Sequence, residues 1–293
     1  YLHGKRHLGL SLIQLMNLYR EHRAKLNSVG EITHSTFIKC EIIIKNICEF
    51  LTHTNQRTIM LDNINARMAN DFYYWLQEQK KAGPEYAAKS IQMFKGIINF
   101  AIVNDYLKSN VFSALRFKRG RKKNIEFLKP EELERLKTHR FASERLQQVA
   151  DLFLLQCFTG FSYSDLSNFD PKFHVEKEEN GREWIVKPRS KNGIESVLPF
   201  MPEAKEICMK YCVTTLQGKK LNLPVITNQK YNSYLKEIGE IQGYNITLTT
   251  HVGRKTFGTI ALNKGYSIES VSKMLGHTNI KTTQQHYAVV LKK

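Results

Sequence analysis

The sequence predicts a mainly α fold that carries one small antiparallel β-sheet, arranged as a helical domain followed by an α+β domain. Three observations lead there. Apolar residues recur at helical spacing through most of the chain. Between residues 172 and 200 the pattern changes to short β-like runs separated by turns at Glu179-Asn180-Gly181 and Lys191-Asn192-Gly193. Around 116–124 a cationic stretch without apolar periodicity divides the two regions, as an inter-domain linker does. The expected domains are therefore 1–115, a basic linker at 116–124, and 125–293. With 293 residues, 42% apolar and 24% charged, the chain has enough material for two globular cores.

In the first domain, residues 10–26 show helical spacing. A second helix is expected over 35–53, capped by Ser35 or Thr36, with Phe37, Ile38, Ile42, Ile43, Ile44, Ile47 and Phe50 on its core side. A third runs from 66 to 80 and stops at Ala82-Gly83-Pro84; a fourth runs from 85 to 107. Phe72, Tyr73, Tyr74 and Trp75 read as core rather than as a base-stacking platform. Lys89 and Lys95, six apart on the fourth helix, are a weak signal for phosphate contact.

The second domain opens with Lys129 before Pro130, then Glu131 and Glu132 in a first helical turn. A long apolar helix over 143–158 ends at Thr159-Gly160. Strands are expected at 172–176, 182–189 and 195–200, and helices resume over 202–213, over 231–241 and in three C-terminal segments.

Composition narrows the function. No apolar run reaches the roughly 18 to 20 residues of a membrane span, and no signal peptide precedes the first helix, so a cytoplasmic protein without a membrane partner is expected. The five cysteines, Cys40, Cys48, Cys157, Cys208 and Cys212, lack metal-ligand spacing and read as buried free thiols. The net charge of +17 points to nucleic acid. Arg116, Lys118, Arg119, Arg121, Lys122 and Lys123 concentrate that charge in one short run, which would lie along a DNA duplex.

Three motifs near the C-terminus suggest chemistry. His251-Val252-Gly253-Arg254 places a histidine and an arginine three apart on one helix face, and Thr249 or Thr250 would cap that helix. Leu275-Gly276-His277 follows, and Tyr287, which looks exposed, stands ten positions after His277. These motifs resemble those of the tyrosine recombinases, and the resemblance implies reversible cutting of DNA without a cofactor, for which a tyrosine can serve as the nucleophile because a phosphotyrosine ester conserves the phosphodiester energy. The phosphorane must then be neutralised, the phenol must lose a proton, and the leaving 5′-hydroxyl must gain one. Arg254 is the phosphate clamp in this scheme, His251 the base or hydrogen-bond donor, His277 a donor to a nonbridging oxygen, and hairpin-tip Lys191 the proton donor. His286 reads as structural.

These motifs and their order make the chain similar to the tyrosine recombinases, the phage integrase family. The resemblance covers nearly the whole chain. It implies a helical core-site DNA-binding domain (SAM-like) joined to a catalytic domain, the two forming a C-shaped clamp on double-stranded DNA. It also implies four protomers acting on paired sites as a homotetramer, no cofactor and no metal, accessory DNA-bending proteins, and work on the bacterial nucleoid. The chain begins at Tyr1 rather than methionine, so an upstream arm-binding domain is expected to have been lost, and it ends six residues after Tyr287, which leaves little tail to dock on a neighbouring protomer.

One position departs from the family, whose arginine after the long apolar helix is here Ser162, in Thr159-Gly160-Phe161-Ser162, with Asp165 at the expected acidic place. Loss of one transition-state donor typically lowers a rate ~100- to 1,000-fold. If residues 189–191 are extended, Arg189 and Lys191 face the same way and Arg189 supplies the missing charge. The rival role for Arg189 is a contact with neighbouring backbone phosphates. The serine resembles integrases of Bacteroides-type conjugative and mobilisable elements. Two other classes stay open, a type IB topoisomerase and a DNA-binding protein that has lost catalysis.

Overall fold

The computed structural model describes residues 9–117, 125–212 and 222–287, with His286 described by its backbone only. Of the six cations in the basic run only Arg116 falls inside these bounds; Lys118, Arg119, Arg121, Lys122 and Lys123 lie outside the described residues. The chain divides into two units, Tyr1–Lys122 and Lys123–Lys293.

Among the described residues the first unit holds four α-helices. α1 (Leu12–Ser28) starts where the Ser11 hydroxyl accepts the Gln14 N–H and the Gln14 side chain returns to the Ser11 N–H, a reciprocal cap. α2 (His34–His53) starts earlier than expected, because Thr33 is its cap and accepts the Thr36 N–H. α3 (Ala66–Glu78) follows Asn65, and α4 (Pro84–Val103) has proline at its first position. α4 ends short of 107 because Asp105 turns left-handed, φ 59°, and the Tyr106 N–H bonds back to the Ala101 carbonyl at 2.8 Å.

Phe50, Phe72, Phe94 and Phe112 fill the centre of this unit, with Phe50 and Phe72 ring centroids 5.3 Å apart. Tyr73 and Trp75 are buried beside them, whereas Tyr74 is 58% exposed. Ile38 and Ile42 are also largely exposed, against expectation: they sit one turn apart on the side of α2 away from Cys40, Ile43, Ile44 and Ile47, which are buried. Neither lysine singled out on α4 extends freely. Lys89 pairs with Glu85 at 2.8 Å, and the Lys95 ammonium, its pKa lowered by burial and by Arg116, donates to the Leu115 carbonyl at 2.8 Å.

In the second unit α5 (Pro130–Thr138) begins with the Glu132 carboxylate accepting the Lys129 N–H at 2.8 Å. α6 (Glu144–Thr159) is buried on nearly every side, with α5, α9 (Pro202–Tyr211), α10 (Asn228–Ile241) and α11 (Thr250–Asn263) packed against it. It ends at Gly160, φ 68°, and leads into the short α7 (Tyr163–Ser167) and α8 (Pro171–His174). The first strand is shorter and later than expected, since Asp170 accepts the Lys172 N–H at 3.0 Å and Pro171 starts a helical turn there instead.

The sheet has the order β1 (Val175–Lys177), β2 (Glu183–Pro188), β3 (Glu195–Pro199), all antiparallel, with Ile185 opposite Val175 and Leu198. Ile185 and Leu198 face the core by strand alternation. α12 (Ile268–Met274) packs on β3 and on α13 (Ile280–Tyr287). The long-range consequence is that the β2–β3 turn, the start of α11 and the α12–α13 connection meet at one cleft.

Candidate active site

The cleft holds about 370 Å³ and is bordered by Arg189, Lys191, His251, Arg254, His277 and Tyr287. All six positions named from the sequence thus reach one place, although they come from three separate segments of the chain.

α11 supplies the first pair. Thr249 is its cap, accepting the Val252 N–H at 3.4 Å, so His251 lies in the first turn and is exposed while Arg254 is buried. Arg254 Nη1 donates to the Gly160 carbonyl at 2.5 Å, and Nη2 donates to the Leu275 carbonyl. Burial, then the neighbouring Arg189, lower its pKa to about 10, which still leaves it cationic at neutral pH.

Arg189 is where the structure corrects the sequence reading. Residues 189–191 are not extended: β2 ends at Pro188, and the Gly193 and Asn192 N–H groups both bond to the Arg189 carbonyl, at 2.8 and 3.3 Å, closing a tight turn. Lys191 is exposed on that turn, whereas the Arg189 side chain folds inward and is only 10% exposed. Its Nη1 donates to the Leu275 carbonyl at 2.8 Å, the same oxygen that receives Arg254. Two guanidinium groups are therefore gathered on one carbonyl, a concentration of positive charge suited to an anion.

Asp165 holds this arrangement. Ser162 is the cap of α7, and its hydroxyl donates to the Asp165 carboxylate at 2.6 Å. The Ser190 N–H donates to the other carboxylate oxygen at 2.8 Å, and Arg189 Nε stands 3.3 Å away, an ion pair too poorly aligned to be a hydrogen bond. Burial pushes the carboxyl up, but the bonds from Ser162 and Ser190 together with Arg189 outweigh it and hold it below the ordinary carboxylate range. Ser162 thus contributes a cap and an anchor for Asp165.

Gly276 explains how Arg189 fits. At φ +57° its backbone takes a left-handed turn, and an added Cβ would stand 2.5 Å from Arg189 Cδ and 2.7 Å from Cγ. The arginine stem runs across the bare glycine. His277 follows at once, its Nδ1 2.7 Å from the Thr283 hydroxyl.

Tyr287 is the second correction. It looks exposed in the sequence but is 2% exposed in the structure. Its ring rests on Gly258, and its hydroxyl faces the Arg254 carbonyl at 3.5 Å. Burial raises the phenol to about 12, opposed by Arg254. A phenol held that high stays protonated at neutral pH.

Lys255 also lines the cleft and was not singled out from the sequence. Its spacing was the available signal, since His251, Arg254 and Lys255 stand at i, i+3 and i+4 on one helix. His286 has no described side chain, and among the described residues no His/Cys/Asp/Glu cluster able to hold a metal ion is found. No described helix is long and apolar enough to cross a membrane.

A helical unit followed by an α+β unit whose turn lysine, paired histidine and arginine, second histidine and terminal tyrosine share one cleft defines the tyrosine recombinase class. The chain belongs to the phage integrase family: the Phage integrase family profile matches residues 126–293, and the Phage integrase SAM-like domain matches residues 14–119. It is 21% identical over 298 residues to tyrosine recombinase XerC of Rickettsia bellii, covering 95% of this chain and 94% of that protein. Its fold is similar to the Tn1549 transposon integrase in complex with a circular intermediate DNA, with TM-score 0.71, 17% identity and 95% of each chain covered. It is also similar to a lambda integrase tetramer bound to a Holliday junction, with TM-score 0.73, 15% identity, and 96% of this chain and 78% of that one covered.

Proposed function

We propose that the protein is a site-specific DNA recombinase that cuts and rejoins strands through a 3′-phosphotyrosyl intermediate, in the integration and excision of a mobile element. The observation that carries the reading is the convergence of Arg189 and Arg254 on the Leu275 carbonyl beside Tyr287. A scissile phosphate seated on the two guanidinium groups is neutralised as charge builds on its oxygens. The Tyr287 oxygen bonds to phosphorus, its proton passes to His251, and the bond to the 5′-oxygen breaks as Lys191 protonates it. His277 donates to a nonbridging oxygen. Rejoining runs the same steps backwards.

Arg189 takes the place of the family arginine that is Ser162 here, and the serine supports a reading of the chain as an integrase of the kind carried by Bacteroides-type conjugative and mobilisable elements. The net charge of +17 suits double-stranded core-site DNA, with Arg116, Lys118, Arg119, Arg121, Lys122 and Lys123 as the linker contacts. Four protomers would act on paired sites, aided by DNA-bending proteins. The domains assigned to these tasks are 1–115 for core-site binding and 125–293 for catalysis, joined by 116–124.

The test uses nicked suicide duplexes drawn from the DNA flanking the gene. Wild-type protein becomes covalently trapped and Tyr287→Phe does not; Arg189→Ala traps ~100- to 1,000-fold more slowly with binding largely kept. Cleavage by Arg189→Ala at a near-normal rate with weakened binding would instead make Arg189 a backbone-phosphate contact. Absence of any adduct with wild type would sink the enzymatic reading.

A further inference from the structure

Thr283, on the helix that carries Tyr287, has no task in the chemistry just described. It is fully buried, and its hydroxyl oxygen lies 2.7 Å from His277 Nδ1, the one hydrogen bond of its side chain among the described residues. Helical threonines commonly donate back to the carbonyl one turn earlier. Thr159 does so to Leu155 at 2.7 Å and Thr256 to Val252 at 2.9 Å, but Thr283 reaches the imidazole instead.

We propose that Thr283 is a positioning residue: its hydroxyl donates to His277 Nδ1, keeps the imidazole proton on Nε2, and does so only while α13 is docked. The inference rests on the recombinase reading. A neutral imidazole has one donor and one acceptor nitrogen. With Nδ1 accepting from threonine, Nε2 carries the N–H that a nonbridging phosphate oxygen requires. In the reverse arrangement Nε2 turns a lone pair toward an anion, and the buried threonine proton has no acceptor among the described residues, a costly state.

Thr283 and Tyr287 are four apart on α13 and so share a face, and both are buried. A movement of α13 that brings the phenol toward a phosphate therefore also moves the group that sets the tautomer of His277. Nucleophile position and donor readiness become one variable. The competing account is that Thr283 only fills space under α13.

Thr283→Val keeps the shape and removes the hydroxyl, whereas Thr283→Ser keeps the hydroxyl. Two readouts decide, the ¹⁵N-imidazole tautomer of His277 by NMR on the free protein and adduct formation on the nicked duplex. Wild type and Thr283→Ser are expected to hold the Nε2–H form, and Thr283→Val to give a mixture. Adduct formation should fall about tenfold in Thr283→Val, as for loss of one neutral hydrogen bond, and should recover in Thr283→Ser. In a His277→Ala background Thr283→Val should cost nothing more. An unchanged tautomer in Thr283→Val, or an equal loss in the His277→Ala background, overturns the proposal. If wild type forms no adduct at all, the recombinase reading fails, while the NMR measurement still decides whether Thr283 sets the tautomer.

Discussion

Gly258→Ala tests how Tyr287 is stored. An added Cβ would stand 2.8 Å from Tyr287 Cε1 and closer still to Cζ and the hydroxyl oxygen. Ordinary carbon contact is about 3.5 Å or more, so the ring must retreat by at least about 0.7 Å, or leave. Alanine in a helix interior by itself stabilises by about 0.5–1 kcal/mol. Against this stands the burial of a large aromatic side chain, worth about 1.5–3 kcal/mol. The first effect acts alike on the docked and undocked forms and cancels between them, so the collision alone shifts the docking equilibrium; bounded by the lost burial, it raises the undocked population of Tyr287 by up to about 10- to 150-fold. Nitration of Tyr287 by tetranitromethane, read by peptide mass spectrometry, measures that population. A parallel titration should show a phenol held at about 12 in wild type moving toward the ordinary value of about 10. Nitration at the wild-type rate together with a higher unfolding midpoint would refute the reasoning, since only the helix-propensity effect would then have been felt.

Gly276→Ala should do to Arg189 what the first variant does to Tyr287. Left-handed backbone strain of about 1 kcal/mol adds to a collision with the arginine stem, so adduct formation should drop to the level of Arg189→Ala with DNA binding retained; wild-type cleavage would show that Arg189 is not needed in its present seat. Asp165→Asn should lower stability by about 3 kcal/mol at neutral pH, because it leaves Arg189 without its buried counter-charge. Since the Asp165 carboxyl is held below its unfolded value, its contribution is complete above about pH 4 and fades as pH falls through the lower folded value. Urea unfolding of both proteins should therefore show the gap closing in acid, and a constant gap from neutral to acidic pH would contradict the assignment.

Local chemistry is what the sequence states openly. The stop at Ala82-Gly83-Pro84, the proline and paired glutamates that open α5, and the two Gly-containing turns of the sheet each depend on residues a few positions apart. For the same reason the spacing alone puts His251 and Arg254 on one face of a helix capped by Thr249 or Thr250, and Thr249 is the cap. Where local rules compete, element ends shift by a few residues. Asp170 drew the chain into α8 instead of a longer strand, and the left-handed Asp105 ended α4 early.

The sequence by itself determined the composition of the site: a turn lysine and an arginine before it, a histidine–arginine pair, a second histidine and a tyrosine, in that order. Only the tertiary structure decided how they stand. Arg189 meets Leu275 across 86 positions and Arg254 meets Gly160 across 94, so no local pattern could announce that the two guanidinium groups share a carbonyl. Nor could it show Tyr287 resting on Gly258 with its phenol buried, because exposure depends on what the rest of the fold brings against a residue, and that is a property of contacts between distant segments rather than of spacing along the chain.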